Sequence, residues 1–168
     1  VRLNELQKVI TESLDTYRVD SATRPILDFI EDLSTWYIRR SRSRFKSDDV
    51  EDKNNALATT HFVLIELSKL IAPFMPFLAE DIYLKLKSEN DPESVHLCDF
   101  PEAGKIDEEI LKNMQEVRKI VSLALKKRMT ANIKVRQPLS RLKIPNSKFQ
   151  IPNKEEYINL IKDEINVK

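Results

Sequence analysis

The residues best suited to chemistry in this chain run consecutively: Asp32-Leu33-Ser34-Thr35-Trp36-Tyr37-Ile38-Arg39-Arg40-Ser41-Arg42-Ser43-Arg44-Phe45. They include the only tryptophan, then four arginines within six residues, and Lys46 follows directly. Aromatic rings beside guanidinium groups suit single-stranded or looped nucleic acid, whose bases stack on rings or guanidinium planes and whose phosphates pair with Lys and Arg. On a helix at about 100° per residue, Ile26, Phe29, Ile30, Leu33 and Tyr37 share an apolar face. Trp36 sits at its margin, where it can either stack a base or anchor packing. Arg40 and Arg44 continue the apolar line and are suited to bridging helices, whereas Arg39, Arg42 and Lys46 fall on the opposite side. The same pattern has a plainer reading. Asp28, Glu31 and Asp32 precede the arginines, and acids early with bases late is what the helix macrodipole favours.

A second basic element separates these readings. From Val117 to Lys154 there are eleven Lys and Arg and no acid, leaving 17 bases against 27 acids elsewhere, so a net charge of +1 conceals a strong polarity. Lys126, Lys127 and Arg128 lead into Lys134, Arg136 and Gln137 within this block. A long basic stretch that is also partly apolar reads as folded, with an anionic partner.

Catalytic constellations are missing from the pattern. A single glycine, Gly104, leaves no Gly-rich phosphate loop and no dinucleotide fingerprint. His61 and His96 are far apart in sequence and Cys98 is the lone cysteine, so neither a zinc site nor a Cys/His nucleophile pair is expected. Asp48-Asp49 and Glu80-Asp81 sit in helix-cap and helix-surface contexts. One cysteine fits a reducing compartment. No run of 18 apolar residues suggests a membrane span, and no membrane partner is expected. The start at Val1 and the lack of a terminal signal read as a soluble piece cut from a longer protein.

The elements that must position these residues are mostly helices. Leu3, Leu6, Ile10, Leu14 and Tyr17 mark an amphipathic helix over 1–17. A second helix runs from about Asp20 or Thr23 to about Lys46, with Pro25 tolerated near its start. Ser47-Asp48-Asp49 caps a third helix over 50–71, whose core face is Ala56, Leu57, Leu64, Leu67 and Ile71. Ile71 to Leu78 is a dense apolar knot taken as core, and Pro76 opens a fourth helix with Leu78, Ile82 and Leu86 inward. Few glycines imply few turns at positive φ. Residues 88–105 form a loop, with 94–98 suited to a short extended piece. Asp107 caps a fifth helix to about Met129, with Ile110, Met114, Val117, Val121 and Ala124 inward. Alternation in 132–144 reads as a strand, and Pro152 or Asn153 opens a last helix bearing Tyr157, Ile161 and Ile165. The expected fold is mainly α: a helical bundle over 1–136, then a truncated strand–helix module over 137–168, the start of a small α/β unit.

Several stretches carry a family resemblance. Asp32 to Arg42, Leu70-Ile71-Ala72-Pro73-Phe74-Met75-Pro76-Phe77-Leu78-Ala79-Glu80-Asp81-Ile82-Tyr83, Ser94-Val95-His96-Leu97 and Asn132-Ile133-Lys134-Val135-Arg136-Gln137-Pro138-Leu139 closely resemble isoleucyl-tRNA synthetase. Their order matches that enzyme's anticodon-binding region over nearly the whole chain. The Ala-Pro-Phe-Met-Pro-Phe run is shared among class I synthetases for aliphatic amino acids. Trp36 to Arg42 and Ile133 to Leu139 resemble the isoleucine enzyme, particularly the type found in archaea, eukaryotes and some bacteria. The resemblance implies a cytoplasmic, ATP-dependent ligase that charges tRNA with isoleucine. The family's His-Ile-Gly-His and Lys-Met-Ser-Lys-Ser signatures are absent, so the fragment itself is not expected to be catalytic or to hold a cofactor; ATP with Mg belongs to the parent.

The expected role is docking the anticodon stem-loop of isoleucine-accepting tRNA. Its contacts would be Trp36, Arg39, Arg40, Arg42, Lys46, Lys126, Lys127, Arg128, Lys134 and Arg136, with other domains of the parent synthetase as further partners. The rival is a structural or inter-domain docking module without RNA contact. A valyl or leucyl enzyme's equivalent domain is a third reading.

Overall fold

The computed structural model describes residues 1–144 and 155–168. Among them are six α-helices: α1 (Arg2–Asp15), α2 (Val19–Asp32), α3 (Val50–Ile71), α4 (Pro76–Leu86), α5 (Glu108–Thr130) and α6 (Glu155–Ile165). The chain divides into two compact units, Val1–Ile106 and Asp107–Lys168. The boundary drawn from sequence at 136/137 falls inside the second unit, because α5 packs against α6. The expected opening of the last helix at Pro152 or Asn153 lies outside the described residues.

In the first unit α1 pairs with α2 and α3 with α4. Leu6, Ile10 and Leu70 are fully buried, and each contributes about 1.5–3 kcal/mol through burial. Ile26 and Phe29 of α2, Leu67 and Ile71 of α3, and Ala79 and Tyr83 of α4 complete this core. Asp49 caps α3 by accepting from the amides of Glu51 and Asp52 at 3.1 and 3.2 Å, and Asp107 caps α5 by accepting from Ile110 at 3.0 Å.

Several sequence expectations shift. Leu57 and Leu78 are exposed, and α4 turns Ala79 and Tyr83 inward instead. The apolar knot is only partly core: Ile71 and Ala72 are buried, while Phe77 is 92% exposed. The piece at 94–98 holds a short 3-10 turn, Val95–Leu97. The alternating segment 132–144 forms no strand. It keeps one parallel bridge, Leu139 to Val167, since one neighbour alone offers too little pairing to extend a ladder.

Among the described residues positive φ occurs three times, and never at glycine. Tyr17, Asn132 and Asn166 end α1, α5 and α6 in the left-handed conformation, at φ 56, 59 and 51°. In each case the following amide donates back to a carbonyl five residues earlier: Arg18 to Ser13, Ile133 to Arg128 and Val167 to Lys162. Asparagine tolerates this region. Tyr17 has no such help, and its ring is 92% exposed rather than on the α1 core stripe. The lone Gly104 serves close approach instead, since a Cβ there would lie 2.9 Å from Asn4 Nδ2, which bonds Lys105 O at 2.8 Å.

Candidate nucleic-acid interface

The Trp-Tyr-Arg stretch leaves α-helical geometry. Leu33–Ile38 is a π-helical segment, and the Arg39 amide donates to Ser34 O, five residues back. Widening the turn leaves carbonyls poorly served, and nearby side chains fill in. Thr35 Oγ1 donates to Glu31 O at 2.7 Å, and Arg39 Nε donates to Thr35 O at 2.7 Å. Tyr37 anchors the segment to α3, its hydroxyl donating to Ala56 O at 3.2 Å.

Beyond the π segment the cations sort by face. Arg44 reaches α3 and grips Asp52, with Nε at 2.9 and 3.0 Å from the two carboxylate oxygens and Nη2 at 2.6 Å from Oδ1. This grip holds the Asp52 carboxyl below the usual carboxylate range and raises Arg44 further. Ser41 is buried, and Arg40 and Trp36 are half-buried. Arg39, Arg42 and Lys46 are exposed at the same helix end. Trp36 therefore offers neither a fully sealed ring nor a fully open face.

In the second unit Lys126, Lys127, Lys134 and Arg136 are exposed, but Arg128 is not. Arg128 is 5% exposed, so its assignment as a surface contact is corrected. Its Nη1 donates to Ile165 O at 3.2 Å; Nη2 donates to Lys134 O at 2.6 Å, Val135 O at 3.3 Å and Gln137 O. These bonds fasten the turn after α5 to the helix end and to α6. Asn166 Nδ2 adds bonds to Val135 O and Arg136 O at 3.0 and 3.1 Å. The segment bearing Lys134 and Arg136 is thereby tied to the helix that bears Lys126 and Lys127. Sequence reasoning missed the organising roles of Arg128 and Asn166. The signal for Arg128 was its spacing: it lies four residues after Ala124 and seven after Val121, on the inward stripe of α5.

Among the described residues no group of three His, Cys, Asp or Glu could hold a metal ion, and no helix is long and apolar enough to cross a membrane.

The two units are helical scaffolds, and each displays a set of exposed cations. The family described as the anticodon-binding domain of tRNA ligase matches residues 1–144. The chain belongs to that family. This anticodon-binding domain is 47% identical over 160 residues to an isoleucine–tRNA ligase of Chlamydia trachomatis serovar A, across 94% of the chain and 15% of the relative. It is 48% identical to that of Chlamydia muridarum over 160 residues, with the same two shares. It is 46% identical to that of Chlamydia pneumoniae over 162 residues, covering 95% of the chain and 16% of the relative. The chain thus spans about 15% of the length of these ligases. All three are bacterial and give no support to the narrower archaeal or eukaryal type.

Proposed function

We propose that this domain binds the anticodon stem-loop of isoleucine-accepting tRNA as part of an ATP- and Mg-dependent isoleucine–tRNA ligase of the cytoplasm. The observation that carries the reading is the outward display of Arg39, Arg42 and Lys46 at one helix end of an anticodon-binding domain. Identity to isoleucine ligases supports the choice of tRNA. Lys126, Lys127, Lys134 and Arg136 form the second set of contacts, and all of these residues lie within 1–136. Arg40 and Trp36, half-buried, supply a supporting edge rather than the main phosphate grip. Charging itself belongs to the remainder of the ligase, whose other domains are the further partners.

Phosphate contacts make binding salt-dependent through counterion release. If four cations touch phosphates, affinity falls on the order of fifty-fold between about 50 and 200 mM salt. Arg39→Glu combined with Arg42→Glu should weaken binding at least tenfold at low salt while leaving the circular dichroism spectrum unchanged. Titration of isoleucine tRNA at several salt concentrations measures both effects. Binding that ignores salt and the double substitution would favour inter-domain docking instead. Equal affinity for valine, leucine and isoleucine tRNAs would remove the isoleucine assignment.

A further inference from the structure

The second unit contains a groove whose lining, Lys127 apart, the tRNA reading leaves unused. Its volume is about 540 Å³, and it lies against the C-terminal half of α5. Ile120, Leu123, Leu139, Leu142, Ile165 and Val167 line it, and its charged lining is entirely cationic: Lys127, Arg128, Arg141 and Lys143. Among the described residues no acid and no aromatic residue contributes.

Two observations say what this groove lacks. Arg128, buried within its lining, is held by backbone carbonyls alone, and its Nε–H has no partner. A buried cation supported only by neutral acceptors leaves its charge uncompensated, which favours an anion nearby. Leu139 and Val167, both lining the groove, also form a single parallel bridge, closed by Leu139 N–H to Asn166 O and Lys168 N–H to Leu139 O, both at 3.1 Å. Parallel pairing is stable when its neighbours are covered on both faces.

We propose that the groove is the docking site of an extended aliphatic segment of the parent ligase, outside these 168 residues, that carries a carboxylate to its cationic lining. The aliphatic side chains fill the lining, and the carboxylate and its acidic flanks meet Lys127, Arg141 and Lys143, beside the uncompensated charge of Arg128. A nucleic acid fits less well, because aliphatic walls offer no ring for base stacking. The inference rests on the ligase reading above, under which most of the parent's length lies outside this chain.

Leu142 is 38% exposed and tolerates a probe. Leu142→Cys would be labelled with iodoacetamide in the 168-residue chain and in the full-length ligase, and its modification rate followed by mass spectrometry. Labelling at least tenfold slower in the full-length protein is expected. Arg141→Glu with Lys143→Glu should restore most of the lost rate there, relative to the same variants in the 168-residue chain. Hydrogen exchange at the Leu139 and Val167 amides gives a second readout without a groove substitution. Equal rates in the two forms overturn the proposal. So does protection of the short chain that grows with its own concentration, which marks a second copy, or protection that requires added tRNA. A charge reversal without effect overturns the carboxylate. Binding of isoleucine tRNA by the same preparations is scored separately, so loss of the tRNA reading and loss of the groove reading are distinguishable.

Discussion

Arg44 and Arg128 both bridge elements, and they do it in opposite surroundings. Arg44 closes a fork on the Asp52 carboxylate at a site where both side chains remain about two-fifths exposed. Water competes with that pair, so good geometry yields little stability. Arg128 has no carboxylate among its bonds, yet its buried guanidinium gathers carbonyls from the segment after α5 and from the end of α6. There, water cannot replace a lost partner. The charge that looks better paired therefore matters less to folding than the one held by neutral groups.

The largest effect that could break this contrast is at Arg128. Arg128→Met removes the cation and strands the buried Ile165 carbonyl and the part-buried carbonyls of Lys134 and Gln137, each costing about 1–3 kcal/mol unless water enters. Urea unfolding of the second unit should lose about 3–5 kcal/mol, with Arg128→Lys falling between. A loss under about 1 kcal/mol would mean that water serves those carbonyls as well as arginine does.

Tyr83 extends the comparison to a neutral buried group. Its hydroxyl donates to Pro92 O at 3.1 Å and accepts from Cys98 Sγ at 3.2 Å, and burial pushes its phenol well above the ordinary tyrosine range. The unfolded chain releases this proton once pH passes about 10, while the folded chain keeps it, so stability falls as pH rises above about 10. Tyr83→Phe should cost about 1 kcal/mol near neutrality, and its disadvantage should shrink steadily toward pH 11. Denaturant titrations at pH 8 and 11 check this; a constant difference would show that the phenol titrates normally.

The smallest effect belongs to Asp52. Its carboxyl is depressed by Arg44, so the pair's contribution is present above the ordinary carboxylate pKa of about 4 and is lost as pH falls through the lower folded value. Asp52→Asn should lower the melting temperature slightly at pH 7 and not at all near pH 2. A gap that persists in acid would assign the effect to packing.

How much of this was readable beforehand differs from element to element. The range of α3, the caps Asp49 and Asp107, and the buried triplet Tyr157, Ile161 and Ile165 followed from local rules, since caps and periodicity act within one or two turns. The inward face of α4 was misread because Leu78 and Ala79 adjoin, and the neighbouring helix chose the smaller residue for close contact. The exposed cations Arg39, Arg42 and Lys46 were legible from helical spacing, and Arg44 as a bridge was legible too. Arg128 was misplaced because its residue type outweighed its position on the α5 stripe.

Residue order alone determined the helical character, the charge polarity and the aromatic–arginine stretch, because these depend on propensity, periodicity and composition. Tertiary structure decided which cations face outward. It turned Leu33–Ile38 into a π segment, set Arg44 against Asp52 and sealed Arg128 beneath the turn that it holds. A guanidinium's role depends on whether water or protein surrounds it, and that depends on residues distant in sequence.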